Sequence, residues 1–341
     1  MAKVIMKILL KNYTKMERFV NEIFHTPVML KELIDFFFLP PQQVINKYFP
    51  QKKIIIEKKK ETPQIFVDAT AGGGGHLFSL INYYQKNFPQ NFCDTIFVGI
   101  DIDKEAIIYL EEKKKRFNFD NLFIYWDNYV NIKKLFEREH FEKRPSRILF
   151  DLGISYYQAK NSERGFSFTV EGKIDMRFDQ IRKKMTALDI IKKANLKKLK
   201  KILKEFSEDP KAAQIATKIF YKKKTIHTTY DLKKIILACG GKESVPRIFQ
   251  ALRIATNDEL ENLKIGLKEA FWLLNDGGRL AVISYHSLED KIVKRYFKMW
   301  KEENKGVILT PKPVTPSSLE IENNLCARSG RLRVFLKYEK N

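Results

Sequence analysis

Little in this sequence invites a redox, disulfide or metal reading. Its 341 residues include three scattered cysteines, Cys93, Cys239 and Cys326, with no C-x-x-C pair. That pattern indicates neither a zinc or other metal site nor a disulfide framework, and it suits a reducing cytoplasm. No apolar run approaches the ~20 residues that a membrane span requires. Lys7 interrupts the short apolar stretch at the N-terminus and no small-residue cleavage site follows, so a signal peptide is not indicated. Acidic residues are scarce beside basic ones, 41 against 63, which leaves a formal charge of +22. Solvated lysine faces account for part of this excess. The remainder attracts phosphate backbones or anionic membranes.

Glycine is sparse too, 15 in all, yet four fall together in FVDATAGGGGH, Phe66 to His76. The apolar Ile65-Phe66-Val67 suits a buried strand, and His76 to Ile81 suits a helix. Strand, glycine turn and helix open a nucleotide-binding α/β unit, in which the backbone approaches the ligand and a helix N-terminus offers unpaired N–H groups. A second buried-strand run, IFVGIDID, contains Asp101 at the place where a carboxylate holds ribose hydroxyls. The dinucleotide fingerprint G-x-G-x-x-G is incomplete. Gly72 and Gly74 fit its first two positions, but Leu77 occupies the third, and the interval to Asp101 exceeds the roughly 20 residues expected for NAD. An S-adenosylmethionine site, which needs no pyrophosphate cradle, fits better.

Further strands are predicted at Leu122–Trp126, at Arg147–Ser155 and at Arg279–Ser284, with helices between the early ones. Alternation of this kind argues for a parallel sheet that binds ligands at the carboxyl ends of its strands. Asp68, Asp101 and Asp151 then stand along one edge. One such acid is unremarkable, whereas three in series mark a site. A basic extension occupies residues 1–24, the segment His25 to Phe38 has helix periodicity after Pro27, and residues 41–62 read as a surface insertion. From residue 160 strand-like runs disappear. Residues 160–245 read as a helical insertion domain between two parts of one core, 25–159 and 246–341. The insertion carries 22 basic and 10 acidic residues, a net +12, and Lys192 to Lys204 holds seven lysines and no acid. Such clustering favours contact with a phosphate backbone over a plain solvated face. Arg247 to Leu274 reads as one long helix, and ARSGRLRVFLK as a closing edge strand.

The succession HTPVML, DATAGGGGH, GIDID, DLGIS, RGFSF, DMRFD, FQALRIATNDEL, ISYHSLEDKIVKRYF and ARSGRLR, over residues 25–337, resembles one family. That family is the bacterial ribosomal RNA small subunit methyltransferase H. The resemblance implies an α/β, Rossmann-like, seven-stranded S-adenosylmethionine-dependent methyltransferase fold with a helical insertion. It also implies methylation of N4 of a cytidine in the decoding region of 16S ribosomal RNA, within the small ribosomal subunit. Residue by residue, it implies cofactor contacts from Gly74, Gly75 and His76, from Asp101 at the ribose and from Tyr129 beside the adenine. Asp151 and Gln158 complete the set. Against each stands a plainer role: His76 at a helix start, Tyr129 in the core, Gln158 on a loop.

The family typically places two serines and a proline before the glutamine, whereas this chain reads Ser155-Tyr156-Tyr157-Gln158. Losing the proline frees the local backbone. The cytosine amine is a poor nucleophile, so an acceptor near its N–H groups is expected. Asp151 is the first candidate and Ser155 the second. None of the cysteines follows a proline, which disfavours attack at cytosine C5. Two other readings remain open at this point: a methyltransferase of the same fold acting on DNA or another RNA, and a non-catalytic RNA-binding module.

Overall fold

A computed structural model describes residues 27–52 and 65–338. In chain order, the core elements before the insertion are α1 (Leu30–Phe38), α2 (Pro41–Tyr48), β1 (Ile65–Asp68), α3 (Gly75–Asn87), β2 (Ile96–Asp101), α4 (Lys104–Phe117), β3 (Leu122–Trp126), α5 (Ile132–Arg138) and β4 (Arg147–Asp151). Then come α6 (Tyr156–Lys160), α7 (Ala187–Lys193), α8 (Leu196–Ser207), α9 (Ala212–Lys222), α10 (Thr229–Gly240) and α11 (Ser244–Asn257). The chain closes with α12 (Glu259–Leu273), β5 (Arg279–Ser284), α13 (Ser287–Glu302), β6 (Gly306–Ile308), α14 (Ser318–Asn323) and β7 (Arg331–Lys337). The described residues form two compact units, divided in the chain at Gly153/Ile154 and at Asn262/Leu263.

The first unit is built on one seven-stranded sheet in the order β3-β2-β1-β4-β5-β7-β6. Strands β1 to β5 run parallel, and β7 is antiparallel to both β5 and β6. This is the expected α/β, Rossmann-like, seven-stranded architecture. Strand order reverses between β1 and β4, and the carboxyl ends beside such a reversal are where open α/β sheets bind ligands. The period-2 alternation of the strands sends side chains to two faces. Phe66, Phe97, Leu149 and Ala281 meet α1, α2, α3 and α4 on one face. Val67, Val98, Ile148, Phe150 and Val282 meet α5, α12 and α13 on the other. With both faces covered, β1 and β5 are buried along their whole length.

Two buried arginines tie the N-terminal helix to the sheet. Arg147 Nε donates to Phe37 O at 2.7 Å, and Arg279 Nη1 donates to the carbonyls of Phe36 and Leu39. These are the orphan carbonyls of the last turn of α1, so cations there satisfy both the hydrogen bonds and the helix dipole.

The second unit is helical, around a core that includes Phe166, Leu199, Ile215, Ile236 and Phe249. Thr186 and Asp189 cap α7 reciprocally, and Thr228 and Asp231 do the same for α10. The RGFSF and DMRFD runs serve this unit's own fold. Arg164 donates to the carbonyls of Arg177 and Phe178, and Arg177 makes a two-pronged pair with Asp175. Asn257 holds the same loop through the Met176 carbonyl and the Phe178 N–H.

Three sequence expectations change. The expected helix from Arg247 to Leu274 is two helices, because Asp258 adopts φ 54°, a left-handed conformation that ends α11. The C-terminal strand is not an edge: β6 pairs outside it. Residues 41–48 of the expected surface insertion are a helix that buries Val44 and Ile45, entered through Pro41 at its first position. The rest of that stretch from 53, and the extension 1–24, lie outside the described residues. Among the described residues no helix is long and apolar enough to cross a membrane.

Candidate active site

The three strand-end acids occupy the carboxyl edge of the sheet on β1, β2 and β4. The glycine turn links two of them. Gly72 and Gly74 have φ of 49° and 79°, Gly74 N–H closes the turn on Ala71 O at 2.7 Å, and Gly72 N–H donates to Asp101 Oδ2 at 2.7 Å. Asp101 Oδ1 accepts from its own loop, at Asp103 N–H, 2.8 Å away. Burial raises the Asp101 carboxyl to about 6, although these two backbone donors pull against the rise. It is therefore ionised at neutral pH and still has lone pairs to offer. The Thr70 side chain ties the turn to the third acid, its Oγ1 accepting from Asp151 N–H at 2.7 Å.

Gly74 caps α3, and a Cβ built there would lie 2.5 Å from Phe78 Cε2 and 2.7 Å from Leu110 Cδ2. The packing of the first turn thus requires glycine whether or not a ligand is bound. The next residues, Gly75, His76 and Leu77, open the helix with N–H groups that have no partner within it. The His76 side chain turns inward. Its Nε2 is 2.8 Å from Val28 O, and its Nδ1 is 3.4 Å from Asp151 Oδ2. The other Asp151 oxygen accepts from Tyr285 Oη at 2.7 Å. Burial pushes the Tyr285 hydroxyl well above its usual pKa, and the adjacent Asp151 adds to the rise. Burial likewise lifts Asp68 to about 7, against the lowering influence of His76 and of Thr70 N–H.

Tyr129 follows β3 and is half-buried. Its ring lies edge-on to Phe150 with centroids 5.2 Å apart, and it rests on Gly266 of α12, where an added Cβ would collide with it.

Across this geometry the sequence profile of the MraW methylase family matches residues 22–338. The chain belongs to that family. Similar proteins carry the name "Ribosomal RNA small subunit methyltransferase H". The one from Coprothermobacter proteolyticus is 43% identical over 279 residues, covering 80% of this chain and 89% of its own. The one from Persephonella marina is 41% identical over 277 residues, covering 79% and 90%. An rRNA methylase structure from Streptococcus thermophilus covers 81% of this chain and 87% of its own at TM-score 0.38 and 10% identity, too loose a likeness to bear on function.

In this MraW methylase, then, Gly74, Gly75, His76, Asp101, Tyr129 and Asp151 all lie in the sheet-bearing unit, at or just beyond the strand ends. Ser155 and Gln158 belong to the other unit, where they form a reciprocal cap on α6. Ser155 Oγ accepts from Gln158 N–H at 3.2 Å, and Gln158 Oε1 accepts from Ser155 N–H at 3.0 Å. Gln158 is buried, while Tyr156 and Tyr157 are exposed. On α8, Lys197, Lys198, Lys201 and Lys204 are exposed, and Asn195 caps the helix. Sequence reasoning missed Tyr285, Thr70 and Gly266. Tyr285 had one available signal: it directly follows β5, as the site acids close the neighbouring parallel strands.

Proposed function

We propose that this MraW methylase transfers a methyl group from S-adenosylmethionine to the N4 amine of a cytidine in the decoding region of 16S ribosomal RNA. The observation that carries the reading is the coincidence of two things. The relatives named for small subunit ribosomal RNA cover most of the chain. The sheet edge holds an ionisable acid at each of three strand ends around a glycine turn.

The residues fit the cofactor. The N–H groups at the start of α3 suit the carboxylate of its methionine part. Asp101, fixed by Gly72 and Asp103, has the charge and the lone pairs for two ribose hydroxyls. Tyr129, braced by Gly266 and Phe150, offers a flat ring to the adenine. Gln158 is kept as a cofactor contact and Ser155 as a second acceptor for the amine on the family resemblance alone, since the structure shows them only as a reciprocal helix cap. When bound, the cofactor supplies an electrophilic methyl carbon on a sulfonium sulfur.

The protein's share is mostly orientation, since an in-line displacement needs nitrogen, carbon and sulfur aligned. Asp151 accepts a hydrogen bond from one N4–H, which localises the lone pair on nitrogen. On taking the methyl group N4 would have to shed one proton, and Asp151, partly exposed beside it, would pass that proton to water. The basic α8 supplies cations for the RNA backbone, and Tyr156 and Tyr157 offer rings for an unstacked base.

Mapping methylated nucleotides in 16S RNA from cells with and without this gene tests the proposal. Loss of one N4-methyl mark in the decoding region, restored by the purified protein, is the expected result. An unchanged 16S map, or labelled methyl groups accepted by DNA instead, refutes it.

A further inference from the structure

His76 has hydrogen-bonding capacity that its neighbours use in only one way. Its Nε2 lies 2.8 Å from Val28 O. A carbonyl only accepts, so Nε2 carries a hydrogen. A neutral imidazole has one N–H, which leaves Nδ1 as a bare lone pair. That nitrogen is 3.4 Å from Asp151 Oδ2, and the side chain is 6% exposed. Two lone pairs facing each other in so buried a place are unfavourable, so a proton belongs between them.

Its location follows from what else surrounds the pair. Asp151 Oδ1 already accepts from the Tyr285 hydroxyl, so the oxygen left to face the imidazole is Oδ2. The Asp151 side chain is 24% exposed and so keeps contact with water. Three titratable groups face the imidazole or its partner: Asp151 from the end of β4, Asp68 from the end of β1, and Tyr285 from just after β5. Among the described residues, the segment that leads into α1 contributes the neutral Val28 carbonyl. Burial lowers the His76 pKa, but the contact and charge of Asp151, with the charge of Asp68, outweigh it and leave the pKa raised.

We propose that His76 is an imidazolium at neutral pH, and that it positions Asp151 as an ionised acceptor for the substrate amine. On this assignment the His76 side chain is a buried counter-charge, and only its backbone N–H is left for a ligand. Asp68, poorly solvated nearby, shares the same cation. The use of Asp151 toward the amine rests on the methyl-transfer reading above, whereas the charge of His76 does not.

The test is nitrogen NMR on protein labelled at histidine, at pH 7.5, with long-range proton–nitrogen correlations. The chain has five histidines, and His76→Gln identifies the relevant signals by their loss. Both ring nitrogens of His76 are expected to show the shifts of a protonated imidazolium. In Asp151→Asn the ring should revert to the neutral form with hydrogen on Nε2 alone. Two widely separated nitrogen shifts in the wild type would overturn the assignment, and the wild-type spectrum depends on no variant folding. For the positioning role, His76→Gln keeps a donor for Val28 but no charge. Its single-turnover methylation rate, measured at saturating cofactor so that any change in cofactor affinity drops out, should fall at least tenfold. An unaltered rate would remove the positioning role. Complete lack of methylation by the wild type would instead count against the proposed function and leave the spectra readable.

Discussion

Gly72 and Gly74 sit two residues apart in one turn, and alanine should affect them very differently. Both have left-handed backbone, φ 49° and 79°, where an L-residue costs about 1–2 kcal/mol. Space separates the two. A Cβ at Gly72 meets nothing nearer than Thr70 O at 3.9 Å, whereas one at Gly74 falls 2.5–2.7 Å from Phe78 and Leu110 side-chain atoms. Phe78 is 4% exposed and Leu110 fully buried, so neither can move aside freely. Overpacking of this kind adds about 1–3 kcal/mol. Gly72→Ala should therefore lose about 1–2 kcal/mol, and Gly74→Ala about 2–5 kcal/mol when both costs are combined. Urea unfolding followed by tryptophan fluorescence measures this cleanly, because Trp126, Trp272 and Trp300 all lie in the sheet-bearing unit. Equal losses in the two variants, or a larger loss at Gly72, would refute the packing argument and return the run to a purely ligand-driven role.

Three further predictions concern charge and cofactor. Asp68, raised to about 7 from an ordinary value of 3.8, keeps its proton in the folded state while the unfolded chain loses it, so its contribution to stability is complete below about pH 4 and is lost as pH rises to about 7. Relative to wild type, Asp68→Asn should thus gain stability between pH 4.5 and 8 in urea melts, and a pH-independent difference would contradict this. Neutralising Lys197, Lys198, Lys201 and Lys204 should reduce the log–log salt slope of RNA binding by roughly 0.7–0.9 for each phosphate that these lysines no longer neutralise. Calorimetry should find cofactor affinity unchanged in that variant, and an unaltered slope would make these lysines a solvated face. Gly266→Ala should push Tyr129 off its seat and weaken cofactor binding by roughly tenfold, about 1.4 kcal/mol. In a Tyr129→Ala background the same change should have little further effect, and simple additivity would show that Gly266 does not act through the ring.

The site acids were legible because each closes a short apolar run, and the end of a buried strand is a place that sequence marks well. Their partners were not. Tyr285 and Asp151 are 134 residues apart, and only the parallel pairing of β4 with β5 brings their strand ends together. Ser155 and Gln158 carry a serine–glutamine spacing of three, which is the signature of a reciprocal helix cap, yet family resemblance alone drew attention to them. The turn at Gly72–Gly74 could be read, but not the reason for Gly74, since Phe78 and Leu110 converge on it only in three dimensions. The lysine-rich stretch after α2 hid it, and its two buried positions are too few for a clear period. The break at Asp258 is made by an aspartate in a left-handed conformation without any glycine, so its one local signal is the Asn257-Asp258 pair, residue types that tolerate that backbone. β6 spans three residues, too short to register as a strand beside β7.

The arginine clamp on α1 bears on the order in which a ribosome delivers this protein. The helix precedes every strand of the sheet, but one of its cations, Arg279, comes 243 residues after the Phe36 carbonyl it serves. The apolar cluster that receives Phe36 and Phe37 draws on residues as late as Leu336. Throughout most of translation the helix has neither its full complement of cations nor its complete seat. A nascent chain stalled before Arg279 therefore presents two phenylalanines and a row of unsatisfied carbonyls to its surroundings. A helix that precedes the whole sheet thus becomes native only when the last strands arrive, and holding it soluble until then falls to whatever waits at the exit tunnel.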